Sequence, residues 1–130
     1  MSRVLLDTSA YSALMNGQAM TAGVVREAEE IFLNAVVIGE LLAGFARGQR
    51  RQRNERQLSE FLDETRVNVV DVDDDTAVRY AAIHSVLRAA GTPIPTNDMW
   101  IAASAMQHGL RLLTLDHHFE KIPQILSTIV

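Results

Sequence analysis

Four carboxylates in this sequence stand out by where they fall. Asp7 follows Val4-Leu5-Leu6, and Asp116 follows Leu112-Leu113-Thr114-Leu115. Asp98 comes directly after Thr96-Asn97, and Glu40 lies inside Val36-Val37-Ile38-Gly39-Glu40-Leu41-Leu42-Ala43-Gly44. That last segment is apolar on nearly every side, so the carboxylate is set against what reads as a buried background. Carboxylates brought together raise one another's pKa by repulsion unless a cation neutralises them. The chain has no cysteine, which excludes disulfides, thiolate zinc sites and thiol nucleophiles and leaves oxygen or imidazole as metal donors. Hard oxygen donors favour Mg2+ or Mn2+, ions that activate a water and stabilise the charge building on a phosphate during hydrolysis. Spacing alone carries the four acids as far as a candidate metal site.

Such a site needs elements that bring the acids together. Val4-Leu5-Leu6 reads as a short strand, with Asp7-Thr8-Ser9 capping a helix whose apolar face is Tyr11, Leu14 and Met15 and which stops at Asn16-Gly17. Residues 21–30 read as a second helix, Ile31-Phe32-Leu33 as a strand, and Asn34 as the cap of a helix that carries Glu40. Leu58, Phe61, Leu62 and Thr65 predict an amphipathic helix over residues 57–66, followed by a β-branched strand at Val67-Asn68-Val69-Val70. A further helix starts near Asp75, presents Ile83, Val86, Leu87 and Ala90, and ends at Gly91, after which Pro93 and Pro95 keep the chain extended. Thr96-Asn97-Asp98 opens the next helix, closed by Gly109; a strand follows at Leu112-Leu113-Thr114-Leu115, and residues 125–130 read as an edge strand. Strands alternating with helices predict an α/β domain with a largely parallel central sheet. In such sheets the functional crevice lies beyond the carboxyl ends of the strands. All four acids occupy positions compatible with facing it.

The bulk numbers fit this picture. At 130 residues a single domain over residues 1–130 is expected, and 48% hydrophobic with 22% charged residues argues against extensive disorder. The start, Met1-Ser2-Arg3-Val4-Leu5-Leu6-Asp7, places a carboxylate where a signal peptide would continue its apolar run, and no stretch is apolar for long enough to span a bilayer. A cytoplasmic location is the expectation. The net charge of −4 speaks against a protein that coats nucleic acid. The distribution is uneven, however, with Arg47, Arg50, Arg51, Arg53 and Arg56 crowded into one short segment.

Four stretches resemble the PIN-domain family, and in particular the VapC-type toxins of bacterial toxin–antitoxin pairs. They are Leu5-Leu6-Asp7-Thr8-Ser9, Val37-Ile38-Gly39-Glu40-Leu41, Thr96-Asn97-Asp98-Met99-Trp100-Ile101-Ala102-Ala103 and Leu113-Thr114-Leu115-Asp116-His117-His118-Phe119. Each alone is common. Together, in this order and spacing, they are specific, and they cover the chain nearly end to end. The resemblance implies a PIN-like three-layer α/β/α fold and a Mg2+- or Mn2+-dependent endoribonuclease, held in check by a cognate antitoxin protein and expected as a homodimer. Carried over by position, it implies Asp7 and Asp98 as the principal metal ligands, Glu40 and Asp116 as the rest of the acidic cluster, and Thr8, Ser9 and Thr114 as hydrogen-bonding supports.

Blander explanations compete residue by residue. Asp7 serves equally as a helix cap, Asp98 as a favourable charge at a helix N-terminus and Glu40 as a surface acid. Capping explains neither the order of the four stretches nor an acid in so apolar a helix. His117 and His118 lie next to Asp116, but adjacent residues point in different directions and no ligand spacing accompanies them, so both are left outside the catalytic centre. The arginine cluster is either a holder of RNA phosphates or a solvated helix face. Met99 and Trp100 read as core packing. Two other functions stand beside the ribonuclease: a non-catalytic RNA- or partner-binding module that keeps the fold, and a phosphotransfer domain. The last is disfavoured because position 9 is serine where an aspartate-nucleophile phosphatase needs a second Asp. A receiver would need an acidic neighbour to Asp7 and a late lysine beyond another strand, and Lys121 is the sole lysine.

Overall fold

The structure is a computed structural model that describes residues 2–130. Five strands, β1 (Arg3–Leu6), β2 (Glu30–Asn34), β3 (Val67–Val70), β4 (Arg111–Thr114) and β5 (Ser127–Ile129), form one sheet in the order β3-β2-β1-β4-β5. Every pairing is parallel, with Val4 opposite Ile31 on one side and Leu5 opposite Leu112 on the other. In β1, β2 and β4 consecutive residues are buried, not alternate ones. That pattern requires both faces of the sheet to be covered by helices, the three-layer arrangement that parallel strands demand. The expected strand at the carboxyl-terminal end is present as β5, at the sheet's edge.

The helices are α1 (Thr8–Met15), α2 (Ala19–Glu27), α3 (Ala35–Arg47), α4 (Arg51–Leu62), α5 (Asp74–Ala90) and α6 (Thr96–His108). Their starts are built from side chains the sequence supplies. Asp7 accepts a hydrogen bond from the Ala10 amide, Asn34 from the Val37 amide, and Asp73 forms a reciprocal capping box with Thr76. Gly91 and Gly109 end α5 and α6 with φ of 69° and 63°, a left-handed conformation that costs other residues. The core joins both sheet faces and includes Leu5, Leu6, Ile31, Leu33, Ile101, Leu112, Leu113 and Phe119, with Tyr11 edge-on to Phe61 at 5.3 Å between ring centroids. No helix among the described residues is long and apolar enough to cross a membrane.

Three expectations shift. The second helix ends at Glu27, and Glu30 already belongs to β2. Arg66 Nη1 donates to the carbonyls of Val25 and Ala28 and closes that helix from a distant part of the chain. Helix α4 begins six positions before residue 57, at Arg51, so much of the arginine cluster is helical. The Glu40 background is also less buried than expected: in α3 only Val37 and Leu41 are buried, and Leu42 is 40% exposed. An apolar helix in an outer layer has one face against the sheet and the other free.

Candidate active site

Strand β1 ends one residue before Asp7, and β4 ends at Thr114, two residues before Asp116. The two strands are neighbours. They also straddle the point where the strand order reverses, because the chain winds from β1 through β2 to β3 and then crosses back to β4. A crevice opens there by topology.

Asp7 is 4% exposed and held on both oxygens. Oδ1 accepts from Ser9 Oγ at 2.7 Å and from the Ala10 amide at 2.8 Å, and Oδ2 accepts from Thr114 Oγ1 at 2.6 Å. Thr114 Oγ1 in turn accepts from the Asp116 amide at 2.9 Å, and Ser9 Oγ accepts from the Leu115 amide at 3.0 Å. The two strand ends are thus tied through two hydroxyls. Burial pushes the Asp7 pKa up; the bonds from Thr114, Ala10 and Ser9 oppose that rise, and the Asp116 charge adds to it.

Glu40 reaches the same crevice from α3, half-buried, with Oε1 accepting from Thr8 Oγ1 at 2.7 Å and Oε2 from Asn97 Nδ2 at 3.2 Å. Asp98, in the first turn of α6, has its pKa pushed up to about 6, first by burial and then by the charge of Asp116, with smaller contributions from Asp7 and Glu40; the His118 ring 3.6 Å away partly offsets the rise. All four sequence-predicted acids therefore act on one spot. Among the described residues no lysine or arginine lies within ion-pair distance of any of them. A cluster of like charge without a basic counterion, built from oxygen donors, suits a hard divalent cation.

The pattern of the PIN-domain family matches residues 4–125. The chain belongs to the PIN-domain family. This PIN domain is 32% identical to ribonuclease VapC4 of Mycobacterium tuberculosis over 93 residues, 72% of each chain. It is 30% identical to the tRNA(fMet)-specific endonuclease VapC of Salmonella typhimurium over 94 residues, 72% of this chain and 70% of the other. In fold it is similar to VapBC-5 of Mycobacterium tuberculosis, a member of the VapBC family of toxin–antitoxin systems. That likeness has a TM-score of 0.80 at 23% identity and covers 100% of both chains.

Two residues beside the candidate site carry no assigned role in the sequence reading. Asn97 stands there only within a motif, yet its amide fixes Glu40. The two adjacent histidines diverge as expected of neighbours, but one of them turns inward. His117 turns away to Glu120, at 3.0 Å, while His118 Nδ1 lies 3.2 Å from Asp116 Oδ2 and 3.6 Å from Asp98 Oδ2. A short 3-10 helix, His117–Lys121, folds the ring back over the crevice. No periodic pattern announces a turn of that length. Met99 is core as expected, whereas Trp100 is half-buried and stacks on Tyr80 with centroids 4.2 Å apart.

Proposed function

We propose that this PIN domain, with residues 1–130 as a single unit, is the endoribonuclease toxin of a toxin–antitoxin pair and hydrolyses RNA phosphodiester bonds with Mg2+ or Mn2+. The observation that carries the reading is the convergence of Asp7, Glu40, Asp98 and Asp116 without a basic counterion. The RNA substrate follows from relatives named as a ribonuclease and an endonuclease, and the antitoxin partner from the toxin–antitoxin family of its neighbour in fold. A homodimer is the assembly the resemblance leads us to expect, and light scattering on the purified protein measures it. An RNA substrate and a cysteine-free chain fit action in the cytoplasm.

Asp7 and Asp98 are the principal ligands in this reading. A carboxylate offers about four lone-pair directions, and Asp7 spends three of them on Ser9, Ala10 and Thr114. One remains, aimed by a fully determined hydrogen-bond set, which suits a ligand bound through a single oxygen. Asp98 faces the His118 ring at 3.6 Å and the Asp116 carboxylate, and no hydrogen bond from a side chain among the described residues occupies its oxygens. The bound ion supplies positive charge to the phosphate oxygens and acidifies a water. Thr114 and Ser9 hold the Asp7 oxygens, Thr8 and Asn97 hold Glu40, and the Thr114 hydroxyl, donating to Asp7 and accepting from the Asp116 amide, ties the two strand ends together. Glu40, restrained but retaining free lone pairs, accepts protons released as water attacks, while Asp116, with a carboxylate oxygen within 4.8 Å of one of Asp98, completes the cluster as a further donor to the ion.

Purified protein incubated with total RNA and Mg2+ or Mn2+ is expected to cut internal bonds, EDTA to stop it, and Asp7→Asn or Asp98→Asn to abolish it. Absence of cleavage with either ion, together with cellular toxicity unchanged in both variants, would overturn the reading.

A further inference from the structure

We propose that His118 is a direct ligand of the ion held at Asp98 and Asp116, and that its nitrogen gives the site a preference for Mn2+ over Mg2+. The inference rests on the metal-dependent reading above and adds to it a donor of a different kind.

The geometry is that of one coordination shell. Asp98, Asp116 and His118 each offer a donor atom, and the three atoms lie within 4.8 Å of one another. The imidazole nitrogen is 3.2 Å from one carboxylate oxygen and 3.6 Å from the other. An octahedral ion with bonds of about 2.1 Å sets adjacent donors about 3 Å apart and opposite donors about 4.2 Å apart. Shifts of a few tenths of an ångström therefore bring all three onto one ion, and a ring whose side chain is 46% exposed is free to make them.

The ring is also placed by the backbone. The His118 amide donates to Asp116 Oδ1 at 2.8 Å, which leaves Asp116 Oδ2 on the side of the ring. The next residue, Phe119, is fully buried and anchors the turn that carries the histidine. His117 supplies the contrast: it has the same side chain, is 74% exposed, and pairs with Glu120 outside the crevice.

The chemistry then separates two ions that oxygen donors alone barely distinguish. Mg2+ dehydrates reluctantly and favours oxygen and water, whereas imidazole is a good donor to first-row transition ions. A site made only of carboxylates accepts either. One that adds a nitrogen favours Mn2+.

The test uses the full chain and Mn2+ itself. Electron spin-echo modulation of bound Mn2+ reports a directly bonded 14N, and calorimetry gives the affinities for Mn2+ and Mg2+. The expected result is a nitrogen signal in the parent and in His117→Gln that disappears in His118→Gln. In that variant Mn2+ affinity drops about tenfold or more and Mg2+ affinity by less than about threefold, on the scale that a lost metal-site partner costs. His118→Asn serves if the glutamine variant folds poorly, and the parent spectrum is decisive by itself. Bound Mn2+ without a nitrogen signal, or an unchanged ion preference in His118→Gln, overturns the role of His118 and leaves the metal-dependent reading standing. A parent chain that binds no Mn2+ overturns both.

Discussion

The two ends of the sheet make an instructive pair, because the same strands build both. β1 and β4 each begin with an arginine, Arg3 and Arg111, and each runs toward an acid, Asp7 and Asp116. At the amino end lies a hollow of about 430 Å³ lined by both arginines, Val4, Leu110, Ile125 and Leu126 among others. Its guanidinium groups find local partners. Arg3 donates to the His108 carbonyl at 3.1 Å, sits 3.8 Å from Glu30 and lies over the Phe32 ring, while Arg111 reaches Thr128. At the carboxyl end the acids face one another, and the one cationic candidate near them is an imidazole. Unbalanced like charge, held in place by hydroxyls, is what separates the two ends.

The sharpest way to break this comparison is to neutralise one acid and one arginine in parallel. Asp7→Asn or Asp98→Asn is expected to lower kcat for RNA cleavage by about a thousandfold or more, while Arg111→Ala stays within about threefold, since an ion's charge stabilisation is worth several kcal/mol. A comparable loss in Arg111→Ala would make the two ends equivalent and defeat the assignment. Thr114→Val keeps the side-chain shape but removes both the donor to Asp7 Oδ2 and the acceptor for the Asp116 amide. Calorimetry should show metal affinity weakened by about 10- to 100-fold, and parent-like affinity would mean the strand ends need no such tie.

Acidity tests the electrostatics without any substrate. The Asp98 pKa rises from 3.8 to about 6 on folding, so between those values the folded chain binds a proton that the unfolded chain does not. Its contribution is fully present below about pH 4 and is lost as pH rises through about 6, a change on the order of 3 kcal/mol. Asp7, shifted in the same direction, adds with the same sign. Denaturant unfolding in EDTA should therefore show the parent gaining stability on acidification relative to Asp98→Asn. With Mn2+ present the sign reverses, because binding requires the ionised carboxylates. The smallest effect belongs to Glu40, which keeps one partner when the other is lost. Thr8→Val or Asn97→Ala should lower kcat/KM by about three- to tenfold, the worth of a single hydrogen bond.

Much of the site was legible because strand ends are legible. Asp7 and Asp116 follow apolar runs too short to be anything but buried strands, and Asn34 and Gly109 mark helix limits by chemistry that works locally. What escaped depends on residues far apart in sequence. The end of α2 is set by Arg66, and the start of α4 at Arg50 has no side-chain cap to announce it. The Glu40 carboxylate is oriented by Thr8 and Asn97 from two other helices. Adjacent side chains point in different directions, which keeps His117 and His118 from both reaching the acids but leaves one of them, His118, free to do so.

The tie between Thr114 and Asp7 spans 107 positions of the chain. During translation at roughly 5–20 residues per second, Asp7 emerges early and waits on the order of ten seconds for the strand that completes its surroundings. A chain that stops short of β4 has already made Asp7, Glu40 and Asp98, but it lacks Asp116 and the Thr114 hydroxyl that ties Asp7 to the neighbouring strand. The geometry of the acid cluster is therefore completed only by the last part of the chain to be made.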